Sequence, residues 1–310
     1  MIAIGPWLVP LFWITVGHWV AVSAHTLFYW WLAERRAAAI ALARRALEQP
    51  GADADGILRN LPLASAEELA ASPRLDDTGA DRAAGWLLAS HGERVLRRAE
   101  RARPWWKRAQ ALRILVRGGH PDRVARLEQA LAAGSPALSA VIVALLGRVP
   151  ERRAAEILLD ALASGAHPPS RVATALESSP VALTELLVPL LRNPSPTVRY
   201  WAACLVGQDL PDQAASAALA DLARDEDPRI RKAAVRALAR IGSLRASAEA
   251  RRLLDDPVGY VRANAARALV ASEGASARGR IGNLGGDPDW AVRRALRELL
   301  EPVGTAESRP

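Results

Sequence analysis

The 310-residue sequence predicts an all-α protein in which one N-terminal transmembrane helix is followed by an array of helical hairpins, about six to seven in number. The first observation behind this prediction is that no Asp, Glu, Lys or Arg occurs in the first 33 residues. The second is a motif that returns at a regular interval towards the C-terminus. We therefore predict four segments, namely a membrane anchor over 1–33, a membrane-proximal segment over 34–103, the helical array over 104–302 and a disordered tail over 303–310.

The N-terminal run from Trp7 to Ala33 is long enough to cross a bilayer, since about 20 apolar residues span the hydrocarbon core. Trp13 lies towards one end and the aromatic residues 29–31 lie at the other, as is typical of rings in the headgroup zone. A cleaved signal peptide would need a charged segment before a shorter apolar core, and none is present. Arginines follow the run, so we expect the remaining chain to be cytoplasmic. Abundant arginine and alanine indicate a bacterial source, and thus the bacterial inner membrane.

Two histidines within this run, His18 and His25, are seven residues apart and therefore share one helical face. Small residues on or beside that face would let another helix approach closely. We call this set the histidine stripe, and it consists of Gly17, His18, Ala21, Ala24 and His25. One interpretation is a docking surface for a membrane-embedded partner, and the other is that the imidazoles contact water or headgroups.

The membrane-proximal segment ends in a basic stretch, Arg94–Arg108, which contains the sequence "PWWKR". Such a cluster near a membrane anchor could contact anionic lipid. The alternative, which the sequence favours, is that Trp105 and Trp106 pack at the start of the helical array.

The repeated motif is clearest in "NPSPTVRYWAACLVG", "DEDPRIRKAAVRALARIG", "DPVGYVRANAARALVASEG" and "DPDWAVRRALRELLEPVG". Each segment opens with Asp or Asn near a proline and continues with a β-branched residue followed by arginine. These arginines are 32, 31 and 31 residues apart, at Arg199, Arg231, Arg262 and Arg293. The same register reaches back to Arg108, although Ser139 replaces one arginine and the unit around Arg171 is short. Other helix-forming segments lie between these, so each period predicts one helical hairpin.

The pattern Asp-Pro-x-x-x-Val-Arg-x-x-Ala-Ala-x-x-Leu resembles HEAT repeats, including the short form found in phycobilisome-lyase-type proteins, over about residues 104–302. The resemblance implies an α-solenoid whose usual role is contact with other proteins. It also implies that the Asp or Asn before each second helix caps that helix. Finally, it implies an arginine ladder that bonds neighbouring turns along the stack, made of Arg108, Arg199, Arg231, Arg262 and Arg293.

The second helices carry a basic face, at the positions one, five and nine residues after each ladder arginine. At 3.6 residues per turn these positions lie opposite the packed sector. By the resemblance this face is concave, so it predicts a positive groove for a partner, with the members Arg113, Arg117, Lys232, Arg236, Arg240, Arg267 and Arg294. The other interpretation is a surface that is merely solvated.

Signals for catalysis are missing from the sequence, which has neither a Gly-rich phosphate loop nor His–Glu metal spacing. The single cysteine, Cys204, excludes an intrachain disulfide and a cysteine metal cluster. We therefore predict no enzyme, no cofactor and no metal, but a membrane-anchored scaffold with protein partners, as in an accessory subunit of a larger membrane enzyme. The alternative is a membrane-tethered nucleic-acid-binding protein, which the net charge of +8 allows and the scarcity of lysine and stacking aromatics disfavours. A lyase-type enzyme is the third hypothesis.

Overall fold

The structure of the protein is a computed structural model that describes residues 8–49, 53–72, 78–133, 135–206 and 213–300. The predicted tail and Trp7 lie outside these residues. Every regular element within them is helical, which confirms the all-α prediction. The chain divides into two compact units, Met1–Leu138 and Ser139–Pro310, which we call the N-terminal and C-terminal units. This division differs from the segment boundary expected between residues 103 and 104.

The N-terminal unit is built on a long first helix, followed by shorter ones that pack against its C-terminal half. Its helices are α1 (Leu8–Glu48), α2 (Ala54–Arg59), α3 (Leu63–Ala70), α4 (Thr78–Arg101), α5 (Trp105–Arg117) and α6 (Arg123–Ala132). Ile40, Ala43 and Leu47 of α1 are buried, and α1 contacts α2, α3 and α4. Helices α4 and α5 form a tightly packed hairpin. The chain from residue 34 to α5 is therefore part of one helical unit.

The first half of α1 is exposed on all sides from Thr15 onward, with few exceptions. Many of its exposed side chains are large and apolar, and Trp19 is the most open of the tryptophans there, with 71% of its surface accessible. The helix continues without a break past Ala33, where the sequence predicted a boundary between anchor and linker. None of the helices in the described residues combines the length and apolar composition that crossing a membrane requires, so the predicted anchor gains no support there.

The C-terminal unit consists of stacked helical hairpins, as the repeat predicts. The helix α7 (Pro136–Leu146) begins two residues before the unit boundary at Leu138. The others are α8 (Arg152–Ser164), α9 (Pro169–Glu177), α10 (Thr184–Leu187), α11 (Pro196–Leu205), α12 (Gln213–Leu222), α13 (Pro228–Arg240), α14 (Ala246–Leu253), α15 (Gly259–Glu273), α16 (Arg278–Gly282) and α17 (Trp290–Leu300). The second helices of successive hairpins contact one another in the order α9, α11, α13, α15 and α17.

The packed sector of each second helix has the composition that the motif predicts. In α13 the residues Ile230, Ala234 and Leu238 are fully buried, and the small alanine lets the neighbouring helices approach closely. Pro228 occupies the first helical turn, where the missing N–H costs least. Gly242 follows the helix with φ of +64°, a conformation that glycine adopts without a Cβ penalty.

Two first helices are irregular where the sequence contains helix-breaking residues. Pro189 follows the four-residue α10, and the chain continues as a 3₁₀ helix over Pro189–Arg192 instead of the one helix expected there. In the last hairpin α16 lies between two 3₁₀ helices, Gly274–Ala277 and Asn283–Gly286. α16 ends at Gly282, and the second 3₁₀ helix contains Gly285 and Gly286, which are helix-breaking residues.

Candidate partner-binding groove

The arginine ladder joins each second helix to the aspartate that opens the next repeat. The Nε of Arg199 donates to Asp225 at 2.9 Å. Arg231 donates through Nε and Nη2 to Asp256, at 2.7 and 2.9 Å. Arg262 does the same to Asp287, at 2.7 and 2.6 Å. These hydrogen bonds raise the pKa of the Arg231 and Arg262 guanidiniums, so both remain charged.

Each of these arginines also binds the turn before its own helix. Arg231, for example, donates from Nη1 to the carbonyl oxygens of Asp225 and Glu226, at 2.9 and 3.0 Å. Arg293 donates only to the carbonyl oxygens of Asp287 and Pro288 among the described residues. The ladder thereby fixes the second helices in register, so the side chains on their opposite face are held in defined positions.

Two ladder expectations differ from the structure. The Nε of Arg108 donates to the carbonyl oxygen of Ala99 and lies in the N-terminal unit, apart from the aspartate-linked members. The capping expectation is met in part, because an aspartate directly before the helix caps α13 and α17, whereas the Asp that opens the repeat does not. The carboxylate of Asp256, for example, accepts the N–H of Val258 before its helix starts. In α13 the cap is Asp227, which accepts the N–H of Arg229 at 2.8 Å.

A groove with a volume of about 490 Å³ runs across α11, α13 and α15 and ends beside Glu177 of α9. Small side chains line its floor, including Ala203, Ala233 and Ala268. Short side chains at these positions open space between the helices, since a larger residue would fill it. The aromatic rings of Tyr200 and Trp201 line the α11 side.

Four of the predicted basic residues come together in this groove, namely Lys232, Arg236, Arg240 and Arg267. No acidic side chain in the described residues pairs with Lys232 or Arg236. The ammonium of Lys232 lies 5.6 Å from the ring centre of Tyr260, a cation–π distance. Arg236 is exposed. These two side chains are therefore the cations of the groove that a ligand could neutralise.

The other two cations are already engaged. Arg240 donates from Nη2 to the carbonyl oxygens of Cys204, at 2.7 Å, and Val206, and burial lowers its pKa. Arg267 pairs with Glu298 at 3.0 Å. Arg240 therefore binds the carbonyls at the end of α11, and the charge of Arg267 is partly neutralised.

Three predicted groove residues lie elsewhere. Arg113 and Arg117 belong to the N-terminal unit, where Arg117 has only 8% of its side chain exposed and donates to Asp81 and to the carbonyl oxygen of Ser72. Burial, followed by the charge of Arg117, lowers the pKa of Arg113. Arg294 pairs with Glu298 at the surface of α17. The prediction of one basic face along all units is therefore too broad.

Cys204 lines the groove next to Tyr200, with which its thiol shares a hydrogen bond. Burial raises the pKa of this thiol above its usual value, despite the lowering effects of Tyr200 and the nearby cations. A thiol in its neutral form is a poor nucleophile. The described residues contain no group of His, Cys, Asp and Glu arranged to hold a metal ion.

The histidine stripe lies on the exposed half of α1, and all five of its residues are exposed. The imidazole of His25 packs against the ring of Tyr29, with 4.4 Å between ring centres. The stripe therefore faces away from the packed part of the N-terminal unit and stays available to a partner.

Comparison with known proteins identifies the repeat. Residues 184–270 match the family model described as HEAT repeats. Residues 184–270, which lie within the stack of helical hairpins, are thus similar to HEAT repeats. The matched residues include α11, α13 and most of α15, and they contain all of the residues lining the groove except Glu177 and Ala271. HEAT-repeat solenoids are generally scaffolds for protein interaction. The match names HEAT repeats only, so the phycobilisome-lyase type is not supported.

Several solved structures are similar to this HEAT-repeat chain. Human deoxyhypusine hydroxylase in complex with glycerol is 17% identical, with a TM-score of 0.32, and the alignment covers 70% of this chain and 96% of that one. An engineered protein is 18% identical, with a TM-score of 0.40 and coverage of 84% and 77%. A second engineered protein is 20% identical, with a TM-score of 0.28 and coverage of 75% and 96%. No curated protein sequence matches the chain.

Proposed function

We propose that the protein is an interaction scaffold whose groove binds an acidic segment of a partner protein. The observation that carries this proposal is the pair Lys232 and Arg236, which rises beside a floor of alanines and has no acidic partner among the described residues. An extended segment with small side chains fits such a floor, and its carboxylates neutralise the two cations. The groove is assigned to binding and not to catalysis, and neither a cofactor nor a lyase activity is part of the proposal.

The groove test uses the full chain and a fluorescent peptide of alternating Glu and Ala. We expect K232E/R236E to weaken peptide binding about tenfold or more, because two attractions become repulsions. The matched control is R245E/R278E, which makes the same charge change at two exposed arginines outside the groove. Binding should also weaken with added salt, since exposed charges are screened within about 8 Å at physiological ionic strength. Equal affinity in both variants would refute the groove.

A duplex DNA of random sequence serves as the second probe in the same titration. Tight DNA binding with a steep salt dependence, lost in K232E/R236E, would favour the nucleic-acid-binding alternative. Preference for the acidic peptide supports the scaffold. The partner is then identified by photo-crosslinking from position 264 in cells, followed by mass spectrometry. The crosslinked proteins are compared between R245E/R278E, which keeps the groove cations, and K232E/R236E, which lacks them.

The proposal also places the scaffold at a membrane, with the apolar run of residues 7–33 as a single-pass anchor in a bacterial inner membrane and residues 34–310 in the cytoplasm. Support comes from the exposed half of α1, where apolar and aromatic side chains such as Trp19, Phe28 and Trp30 have more than half of their surface accessible. A helix that is apolar all round needs lipid or protein around it. The histidine stripe would then contact a membrane-embedded partner, as in an accessory subunit of a larger membrane enzyme.

The anchor is tested by washing membranes with alkaline carbonate. We expect the intact chain to stay in the membrane fraction, and a soluble chain that begins after about residue 24 would contradict the anchor. A phosphatase fused after Pro310 reports topology, because it is active only outside the cytoplasm. We expect no phosphatase activity, since the arginines that follow the apolar run favour the cytoplasmic side.

A further inference from the structure

The corner between α4 and α5, residues 101–107, exposes two tryptophans among basic residues. Trp105 and Trp106 are 43% and 57% exposed, so the interpretation that they pack at the start of the array is not what the structure shows. Arg101, Arg103 and Lys107 are exposed as well, and no acidic side chain in the described residues pairs with them. We call residues 101–107 the α4–α5 corner.

The neighbouring basic residues behave differently. Arg94 and Arg98 both donate to the buried carboxylate of Glu67 on α3. Arg97 pairs with Glu93 one turn earlier on α4. Of the basic stretch Arg94–Arg108, the corner therefore holds the charges that remain open to a partner.

Contacts within the N-terminal unit show which residues of α1 lie beside the α4–α5 corner, and we call this position along the α1 axis the height of the corner. Arg82, near the start of α4, donates from Nη1 to the carbonyl oxygens of Leu47 and Gln49, at 2.6 and 3.1 Å. The start of α4 thus lies beside the end of α1. Because α4 has a kink at His91, this contact fixes the position of only the first part of the helix.

Contacts with α3 give the height of the second part of α4, which leads to the corner. Arg36 donates to the carbonyl oxygen of Ala64 and Arg44 to the hydroxyl of Ser72, so residues 28 positions apart lie side by side. Glu67 is then level with about residue 39 of α1. Because Arg98 binds Glu67 and Arg101 is three residues further on, the corner is level with about residue 36.

These contacts place the corner level with about residue 36 of α1, near the end of the exposed apolar half of that helix. Here the guanidinium of Arg35 lies 4.2 Å from the ring centre of Trp31. Towards residue 15 the exposed side chains are almost all apolar, and towards residue 48 the helix is packed against α3 and α4. Aromatic rings and unpaired cations from two separate segments thus occupy one level of the unit.

We infer that the α4–α5 corner rests on the headgroup layer of an anionic bilayer, at the level where α1 leaves the lipid. This inference rests on the membrane position in the proposed function and adds a second contact to it. Indole rings prefer the headgroup zone. Guanidinium and ammonium groups pair with lipid phosphates, and each basic side chain near the surface strengthens binding roughly fivefold. Two contacts from one rigid unit would fix the orientation of the protein on the membrane.

The experiment measures the depth of the corner in the full chain. Ala102 is replaced by cysteine in a C204S background, carries a spin label and is reconstituted in nanodiscs with phosphatidylglycerol or with phosphatidylcholine alone. Ala46→Cys is the matched control, because Ala46 is equally half-buried and lies near the far end of α1. Access of a water-soluble nickel reagent to each label is read by electron paramagnetic resonance.

We expect access at position 102 to fall several-fold in phosphatidylglycerol discs, while position 46 stays open. R101E/R103E should restore access, whereas R45E/R59E, at exposed arginines remote from the corner, should not. Protein that enters the discs but keeps position 102 as open as position 46 overturns the inference and leaves the anchor intact. Protection that appears only when the Glu–Ala peptide is added also overturns it, in favour of an acidic protein. Failure to enter discs overturns the anchor and the inference together.

Discussion

Arg231 shows how one side chain connects two repeats. It donates four hydrogen bonds, two to the carboxylate of Asp256 in the next repeat and two to carbonyl oxygens of its own turn. Asp256 is buried, and its remaining hydrogen bond comes from the N–H of Val258. Removal of the guanidinium would therefore leave a buried carboxylate without its counter-charge.

We expect R231A to lower the free energy of unfolding by about 1–3 kcal/mol, because buried acceptors lose their donors. Urea denaturation followed by circular dichroism measures this. The control is R229A, two residues away, because Arg229 is solvent-exposed and pairs only with Asp227. Its unfolding curve should stay close to that of the original protein. If the two variants unfold alike, the ladder does not stabilise the solenoid.

At the scale of the helix, the solenoid depends on close approach between neighbours. Gly147 follows α7, and a Cβ built on it would lie 2.4 Å from the carbonyl oxygen of Ala175 in α9. A backbone atom cannot move aside as a flexible side chain can, so this position requires glycine. The alanine floor of the groove follows the same rule, since small residues allow the second helices to approach while leaving space above them.

We expect G147A to destabilise the C-terminal unit by about 1–3 kcal/mol through overpacking. G279A provides the comparison, because nothing lies within 4 Å of a Cβ at Gly279 in α16. That change should be neutral or stabilising by up to about 1 kcal/mol, as alanine favours helix more than glycine does. Differential scanning calorimetry of both variants tests this prediction. Equal thermal unfolding midpoints would show that α7 and α9 can separate at little cost in free energy.

For the molecule as a whole, the ladder makes stability depend on acid. Hydrogen bonds from Arg262 hold the pKa of Asp287 below its usual value. Burial alone would raise the pKa of Asp256, but the bonds from Arg231 and Val258 outweigh it, and the net shift is downward. A carboxyl whose pKa is lower in the folded state stabilises the fold above its unfolded pKa, about 3.9, and this contribution disappears as pH falls through the folded pKa.

We therefore expect the thermal midpoint to be nearly constant above about pH 5 and to fall between about pH 4 and pH 2. Acid also raises the net positive charge, which destabilises any basic protein. R262A separates the two effects, because it removes the partner of Asp287 and should make the acid dependence shallower. A parallel decline in both proteins would assign the loss to general charge repulsion instead of the ladder.

The spacing of arginines at 31 or 32 residues determined the stacked hairpins, because a hairpin cannot bury its faces without a neighbour, and a fixed period ensures identical neighbours. It also placed Lys232 and Arg236 on the face opposite Ile230, since helical geometry fixes that relation locally. The sequence could not determine that Arg117 is buried against Asp81, which is 36 residues away. Equally, the pairing of Arg267 with Glu298 and the exposure of Trp105 depend on contacts between distant segments.

Local periodicity thus determined which residues form helices and which face of each helix packs. Tertiary structure alone decided which charges are neutralised and which stay open to a partner, because a charge is neutralised by whichever group the packing brings within about 4 Å. The histidine stripe and the α4–α5 corner illustrate the same division. Sequence located both sets of residues, but only the contacts of α3 with α1 and α4 showed that the corner is level with about residue 36.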